Sequence, residues 1–397
     1  MKDSALNEKI TQYAETHRES LVNLRRSLHQ IPELTDDLPK TRKMILDYLK
    51  KFKDIEIRDW VGNGGITALL RGDLPGKTFG YRADMDALPM EEMNEVPYKS
   101  THPGKMHACG HDAHMTIALG ILTLLHAFKS ELRGQVKFIF QPAEEAQGGA
   151  LEMIQDGALK DPEVDEIYGI HVWPSIEKGR FGLKAGELMA GTDIIRIDIQ
   201  GKGGHPGIPH HAVNPIVVGS KIVSELESIT SYAVDSSENA VISICSFHGG
   251  KVNNIIPHTV TIYGTVRTFN AETQDIVERE MSRIVHHFGD LYRATCTLDY
   301  HKHFPPTINH PEVIAKFKDS LDGQAVPGAV ENLSKPSMGA EDFSCFLREK
   351  PGAFIFVGTR NEAKGLVHEI HHPQFDIDED ILTDTALAFA RFFISSQ

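Results

Sequence analysis

The amino-acid sequence predicts an α/β fold with a mostly parallel central sheet, interrupted by a smaller inserted domain of β-α-β-β-α-β order. Two patterns lead to this prediction. Along most of the chain, short apolar runs that suit buried strands alternate with helical patterns, which is typical of parallel α/β sheets. In the middle, apolar and polar residues alternate within single strands, which is typical of a sheet with one face open to solvent or to a partner.

The larger domain begins with a helix over the first 30 residues or so, which has Leu21, Leu24 and Leu28 on one face and ends at Pro32. The other predicted elements continue the alternation: a helix at about 41–52, strands at 65–70, 78–83 and 136–140, helices at about 113–128 and 150–156, a strand at 166–172, and, after Pro305-Pro306, a helix, a strand at 353–357 and a helix at about 379–394.

The inserted domain is predicted from the elements between positions 186 and 301. Ile195, Ile197 and Ile199 alternate with polar residues, and the next helix has Asn214 as its cap and Pro215 in its first turn. Its other elements are that helix at about 213–229, strands at 240–247 and 259–268, a helix at about 271–288 and a strand at 294–299. This order is ferredoxin-like. We therefore expect one domain at 1–185 with 302–397, and another at 186–301.

The composition excludes several classes of protein. The chain has 397 residues, which favours two domains, and a net charge of −14 without a clustered basic patch, which argues against nucleic-acid binding. No apolar run approaches a membrane span, and the polar N-terminus lacks the pattern of a secretory signal. Cys109, Cys245, Cys296 and Cys345 are isolated from one another, which suits a reducing cytoplasm.

Residues 106–114 hold more ligand-type side chains than any other stretch of the chain. They are Met106, His107, Cys109, His111, Asp112 and His114. Thiolate, imidazole and carboxylate groups together favour zinc and similar ions over calcium or magnesium. Cys109 and His111 can face one ion only if the backbone turns between them, and Gly110 allows that turn. The alternative is that Cys109 is a small buried residue and that the histidines are polar groups at the start of a helix.

Further candidates lie near strand ends and in a late loop. Glu144 and Glu145 follow the strand at 136–140, at the edge where open α/β sheets place their sites. Two adjacent carboxylates can have different roles, because one can bind a metal ion while the other acts as general base or acid. His171 ends a predicted strand, and His371 lies in the loop before the last helix. Singly, each has an ordinary explanation as a solvated acid or a structural histidine, but together they predict a site.

Three residues of the inserted domain are weaker candidates. His205 ends a glycine-rich run, 201–205, which lacks the spacing of a phosphate-binding loop. Asn254 lies in the hairpin between two strands, and the simplest interpretation of that segment is an ordinary turn. Arg267 falls on the polar face of its strand, where it either holds a substrate carboxylate or is solvated.

Several motifs together resemble the dinuclear metallo-amidohydrolases of the hippurate hydrolase, aminoacylase and indole-acetyl-amino-acid hydrolase type. The motifs occur in order over nearly the whole chain as 82–89, 106–112, 141–145, 201–205, 254–257, 339–343 and 371–373. The resemblance implies a catalytic domain with an inserted ferredoxin-like dimerisation or lid domain.

The resemblance also implies roles for particular residues. The implied ligands of two divalent metal ions are Cys109, His111, Glu145, His171 and His371. Zinc or manganese is expected, with cobalt and nickel as alternatives. Glu144 is the implied general base. His205, from its own or a neighbouring subunit, and Asn254 would contact the substrate or the developing oxyanion, and Arg267 a substrate carboxylate. His107, Asp112 and His114 would support the ligands.

The function implied by the resemblance is hydrolysis of the amide bond of an N-acyl amino acid by a water that two metal ions and Glu144 activate. A dipeptidase or carboxypeptidase with the same site is the nearest alternative. A non-catalytic, metal-dependent binding protein is an alternative from another class. The expected partners are a small N-acyl amino acid and further copies of the chain in a homodimer or larger homo-oligomer, in the cytoplasm, with no nucleic acid or membrane.

Overall fold

The computed structural model describes residues 2–60, 62–146, 148–322 and 329–396. Its helices are α1 (Lys2–His29), α2 (Pro39–Leu49), α3 (His111–Ala127), α4 (Gly149–Gln155), α5 (Pro215–Tyr232), α6 (Ala271–Tyr292), α7 (Pro311–Asp322), α8 (Phe343–Glu349) and α9 (Asp380–Ser395). Its strands are β1 (Glu56–Asp59), β2 (Ile66–Arg71), β3 (Leu74–Asp84), β4 (Arg133–Gln141), β5 (Glu166–Glu177), β6 (Phe181–Leu183), β7 (Gly186–Met189), β8 (Gly191–Gln200), β9 (Ala240–His248), β10 (Thr259–Thr268), β11 (Thr295–Phe304), β12 (Thr307–Asn309), β13 (Val330–Asn332) and β14 (Gly352–Arg360).

Contacts within the chain divide it into two units. The first comprises Met1–Leu188, Ile308–Lys335 and Asp342–Gln397, and the second comprises Met189–Thr307 and Pro336–Glu341. In the part of the chain that the structure describes, no helix has both the length and the apolar character needed to span a bilayer.

The first unit is built on a large sheet, whose described strands have the order β1-β2-β4-β3-β5-β14-β6-β13. Its centre is parallel, because β4, β3, β5 and β14 run side by side in one direction. β1 and β2 are antiparallel additions at one edge. The predicted α/β fold with a mostly parallel central sheet is confirmed.

Helices cover both faces of this sheet. Tyr168 of β5 packs against Phe392 of α9 with ring centroids 5.0 Å apart, whereas the neighbouring Gly169 faces Phe343 of α8. Successive residues of a strand point to opposite faces, so α8 and α9 lie on opposite sides. α3 is buried from its first residue through Leu125 and packs beside α1 and α9.

β5 is longer than the sequence predicted. The predicted strand ended at Val172, but pairing with β14 continues the strand to Glu177. On its other side, β5 pairs with β3 only as far as Gly169. One edge of β5 is therefore unpaired with β3 beyond that residue, and His171 lies in this part of the strand.

The second unit has an antiparallel sheet whose described strands have the order β11-β8-β10-β9. The elements follow the predicted β-α-β-β-α-β order as β8-α5-β9-β10-α6-β11. Ile195, Ile197 and Ile199 are buried against α5 and α6. The side chain of Asn214 caps α5 by accepting the N–H of Ile216 (3.0 Å), as predicted. Dimerisation through this unit, or its action as a lid, stays a prediction.

Candidate metal centre

Ligand-type side chains gather beyond the point where β3 stops pairing with β5. They come from the loop before α3 and the first residue of α3, the loop after β4, the strand β5 and the loop after β14: Cys109, His111, Glu144, Glu145, His171 and His371. Their nitrogen, sulfur and oxygen atoms fall into overlapping groups of three, in each of which the atoms lie within 4.8 Å of one another. The structure therefore brings the predicted ligands of the first unit together, and their role as metal ligands stays a prediction.

The turn between Cys109 and His111 depends on Gly110. This glycine has φ 85°, in the left-handed region that other residues disfavour. A Cβ here would lie 2.3 Å from Cγ2 of Val172. The carbonyl of Gly110 accepts the N–H of His114 (3.1 Å) in the first turn of α3. The predicted turn is confirmed, and α3 begins at His111 rather than at about position 113.

Cys109, His111 and His171 form one group. The Sγ atom of Cys109 lies 3.3 Å from Nε2 of His171. Nδ1 of His171 lies 2.7 Å from the carbonyl oxygen of Val172, and Nδ1 of His111 lies 2.8 Å from that of Asp86. Since a carbonyl oxygen only accepts, each ring carries a proton on Nδ1. Nε2 is therefore the nitrogen of each ring that is left to face a metal ion, which would take the place of any second proton there.

Cys109, Glu145 and His371 form a second group, so Cys109 belongs to both. Nε2 of His371 lies 3.3 Å from Sγ of Cys109 and 3.5 Å from Oε1 of Glu145. His371 has φ 62°, which is uncommon for a residue other than glycine. Its N–H donates to the carbonyl of Ala108 (2.8 Å), which joins its loop to the loop of Cys109.

Two buried atoms in this cluster fit a metal ion. Among the described residues, neither Nε2 of His111 nor Oε1 of Glu145 has a hydrogen-bond partner, although they lie 3.8 Å apart. Sulfur and nitrogen ligands bound to one zinc ion at about 2.3 and 2.0–2.1 Å lie about 3–3.6 Å from each other, and the Cys109–His171 separation is 3.3 Å. The mixture of thiolate, imidazole and carboxylate suits zinc or a related divalent ion.

Asp86 holds two parts of the cluster at once, a role that was not predicted from the sequence. Its carboxylate accepts the backbone N–H of Glu144 (3.0 Å) and of Glu145 (3.1 Å). Its carbonyl accepts the Nδ1–H of His111. In the sequence, Asp86 lies in the motif at 82–89, at the end of an apolar strand, but neither the motif nor its position reveals these partners.

Asp84, His111 and His114 form another close group, but it suits a metal ion less well. Nδ1 of His114 lies 2.6 Å from Oδ1 of Asp84, and its Nε2 accepts the N–H of Val172 (3.0 Å). Both ring nitrogens are thus engaged. Asp84 is also paired with Arg82, whose Nη1 lies 2.5 Å from its Oδ2. His114 therefore supports the strand and loop beside the cluster rather than offering a free lone pair.

The electrostatic environment of the cluster favours a positive charge. Although burial acts in the opposite direction, the carboxylates of Asp84 and Glu145 help raise the pKa of His111 to about 10. Burial lowers the pKa of His171 to about 3, so that ring is neutral and able to ligate. Burial and the carboxylate of Glu145 raise the pKa of the Cys109 thiol well above its ordinary value. A bound cation would stabilise the thiolate of Cys109.

The other predicted site residues belong to the second unit. His205 is exposed, and its Nδ1 accepts the N–H of Gly207 (3.0 Å). The exposed Asn254 lies in the hairpin between β9 and β10. Arg267 is half-buried on β10, and its Nη1 has no hydrogen-bond partner among the described residues. Their contacts with a substrate stay predictions.

Replacing Gly110 with Ala is expected to lower the free energy of unfolding by at least about 2 kcal/mol, because strain at positive φ adds to a clash with Val172. Denaturant unfolding of the metal-free protein measures this. Gly104→Ala is the matched control: Gly104 has φ 71° but open space around its missing Cβ, so it should cost only about 1–2 kcal/mol. Equal losses for both variants would contradict the role of the Val172 contact.

The fold and the cluster together define an α/β protein with a candidate metal-binding centre. The family model "Peptidase family M20/M25/M40" matches residues 80–394, and the chain belongs to this family. This confirms the resemblance to metallo-amidohydrolases. The protein is accordingly a hydrolase acting on amide bonds, as relatives named deacetylases are, and not a non-catalytic binding protein.

Individual relatives cover nearly the whole chain. Thermostable carboxypeptidase 2 of Saccharolobus solfataricus is 38% identical over 389 residues, which is 97% of either chain. N-acetyl-L-cysteine deacetylase of Bacillus subtilis is 36% identical over 379 residues, 96% of this chain and 87% of the relative. A solved structure, the B. subtilis YXEP protein, described as a dinuclear metal binding peptidase from M20 family, matches with a TM-score of 0.83 at 33% identity, covering 96% of this chain and 98% of that one.

Proposed function

We propose that the protein hydrolyses the amide bond of N-acyl amino acids at a centre of two divalent metal ions. The proposed ligands are Cys109, His111, Glu145, His171 and His371. The observation that carries the proposal is the membership of Cys109 in two ligand groups, with Glu144 beside them. Zinc or manganese is the expected ion, with cobalt and nickel as alternatives. When bound, such ions polarise the amide carbonyl and make water more acidic.

Glu144 is the proposed general base. The residue is 9% exposed, and one of its carboxylate oxygens lies within 4.8 Å of a ring nitrogen of His111 and a carboxylate oxygen of Glu145. Asp86 fixes its backbone. In the proposed reaction Glu144 takes a proton from the water while the oxygen of that water forms a bond to the carbon of the amide carbonyl. It then gives that proton to the nitrogen as the C–N bond breaks, which yields a carboxylic acid and a free amino acid.

His205 and Asn254 are proposed to stabilise the developing oxyanion. Because Nδ1 of His205 accepts the N–H of Gly207, its proton resides on Nε2, which makes that nitrogen a donor. The loop of His205 pairs with the hairpin of Asn254 through two backbone hydrogen bonds between Gly204 and Ile256, of 3.2 and 3.0 Å. These features support a shared role, in the same subunit or in a neighbouring one of a homodimer.

Arg267 is proposed to bind the free carboxylate of the substrate, because its buried Nη1 lacks a partner among the described residues.

Arg267→Met should raise KM for an N-acetyl amino acid by about 10–100-fold with little change in kcat, since a hydrogen bond to a charged group contributes about 1.5–3 kcal/mol. The corresponding carboxamide should show no such change. Arg196→Met is the matched control on the adjacent strand β8, because Arg196 is paired with Asp198 and exposed. Unchanged KM in Arg267→Met would contradict this role.

Cleavage of acyl amino acids by the metal-loaded protein tests the proposed function. Chelated protein is re-supplied with zinc, manganese, cobalt or nickel in turn and assayed on acetyl-amino acids, benzoyl-glycine and dipeptides. We expect restored hydrolysis of an acyl amino acid with at least one ion. Hydrolysis of peptides alone would instead support a carboxypeptidase or dipeptidase, the second candidate, which the name of the carboxypeptidase relative favours.

A further inference from the structure

Arg25, on α1, is a charged side chain with no exposed surface. The helix is already anchored by apolar side chains such as Ile10, Leu21 and Leu28, of which at most 3% is exposed. Removing a guanidinium from water is costly unless it is fully paired. Helix packing alone does not require a charge at this position, so the partners of Arg25 indicate its role.

Two carboxylates that pair with Arg25 belong to segments that carry candidate metal ligands, the first turn of α3 and the loop after β14. Nε of Arg25 lies 2.7 Å from Oδ2 of Asp112, which directly follows His111. Nη2 of Arg25 lies 2.9 Å from Oδ1 of Asp376, in the loop that carries His371. One guanidinium thus joins two segments that are far apart in the sequence and that both contribute to the cluster.

Hydrogen bonds from other side chains orient these two carboxylates, which form ion pairs with Arg25. Nδ1 of His29 lies 2.7 Å from Oδ2 of Asp112. The hydroxyl of Tyr98 donates to Oδ2 of Asp376 (2.7 Å). Each carboxylate is therefore held by a second neutral or cationic group besides Arg25, which restricts its rotation and makes the connection between the two segments rigid.

The turn after α1 contacts the other two loops of the cluster. The carbonyl of Glu33 accepts the N–H of Ala87 (2.8 Å), the residue after Asp86. The carbonyl of Thr35 accepts the N–H of Ala143 (3.0 Å), which directly precedes the proposed base. The N-terminal segment from Arg25 to Thr35 thus contacts each loop that contributes to the cluster.

We propose that Arg25 is a positioning residue of the metal centre, which holds the first turn of α3, with His111, and the loop of His371 at the separation that lets both ligand groups bind an ion. The planar guanidinium reaches two carboxylates at once in a fixed geometry, which the single ammonium of lysine does not reproduce. The inference rests on the proposed metal centre. Residues behind metal ligands typically contribute about 10–100-fold to metal affinity, and we expect an effect of this size.

The test compares Arg25→Met with Arg26→Met in the full-length chain. Arg26 is the matched control because it pairs with Glu379 (2.6 Å) and contacts the ring of Tyr98, as Arg25 does, but its side chain is 40% exposed. Each protein is dialysed against chelator-buffered zinc, and bound metal is measured by elemental analysis. Arg25→Met should bind zinc about 10–100-fold more weakly, Arg25→Lys should not restore the affinity, and Arg26→Met should match the wild type.

Thermal unfolding with and without zinc separates positioning from general stability. A structural role would lower the Tm of both forms equally, whereas a positioning role also reduces the increase in Tm that zinc causes. If Arg25→Met does not fold, Asp376→Asn removes one of the two connections and should weaken zinc binding about tenfold. Zinc affinities equal to that of the wild type in the folded variants would overturn this inference alone. A wild-type protein that binds no metal would overturn the proposed function as well.

Discussion

Glu144→Gln is expected to lower kcat by about 10²–10⁴ while the metal content stays that of the wild type. The amide of glutamine has nearly the shape of the carboxylate but does not take a proton from water. The backbone at this position is held by Asp86, which the substitution does not alter. Steady-state kinetics on an acetyl-amino acid, together with elemental analysis of the same sample, measures both quantities.

Two controls make this prediction specific. Glu145→Gln changes the adjacent carboxylate, which belongs to a ligand group with Cys109 and His371, so it should lose metal as well as turnover. Glu152→Gln changes an exposed glutamate of α4 and should behave as the wild type. Turnover close to that of the wild type in Glu144→Gln, or equal metal loss in the Glu144 and Glu145 variants, would be incompatible with the proposed division of roles.

Elements with a strong apolar pattern could be predicted from the sequence, and those without one could not. The parallel strands β3 and β4 are apolar runs bounded by polar residues, and α3 is apolar over most of its length. β1 was missed because its residues are mostly exposed at the sheet edge. The end of β5 was misplaced because the apolar run ends at Val172, whereas pairing with β14 alone is enough to continue the strand.

The chemistry of the side chains and the direction of the strands were enough to predict which residues of the first unit lie together. Cys109 and His111 stand next to a glycine that permits the turn, and the carboxyl ends of parallel strands meet at one edge. The tautomer of His111, in contrast, depends on the carbonyl of Asp86, 25 positions away in the sequence. The link from Arg25 to Asp376 spans still more of the chain. Such contacts depend on the packed structure and leave no local pattern in the sequence.

Cys109→Ala is expected to weaken the binding of both metal ions, each by more than about 100-fold, and to abolish turnover. Residues that only support metal ligands already contribute about 10–100-fold, so the loss of a direct ligand should exceed this range. The reason for expecting both ions to be affected is that Cys109 belongs to both ligand groups. His171 belongs to only one of these two groups, and His371 only to the other.

The same metal titration on three variants therefore distinguishes a shared ligand from an ordinary one. His171→Ala and His371→Ala should each lose the tighter binding of one ion and retain the other, whereas Cys109→Ala should lose both. Cys109→Ser should recover part of the affinity and shift the preference from zinc towards manganese, because an oxygen ligand is harder than sulfur. Cys345→Ala, which removes a thiol outside these ligand groups in α8, is the matched control. Two tightly bound ions in Cys109→Ala would exclude the thiolate from the centre, and loss of one ion alone would make Cys109 a ligand of a single metal.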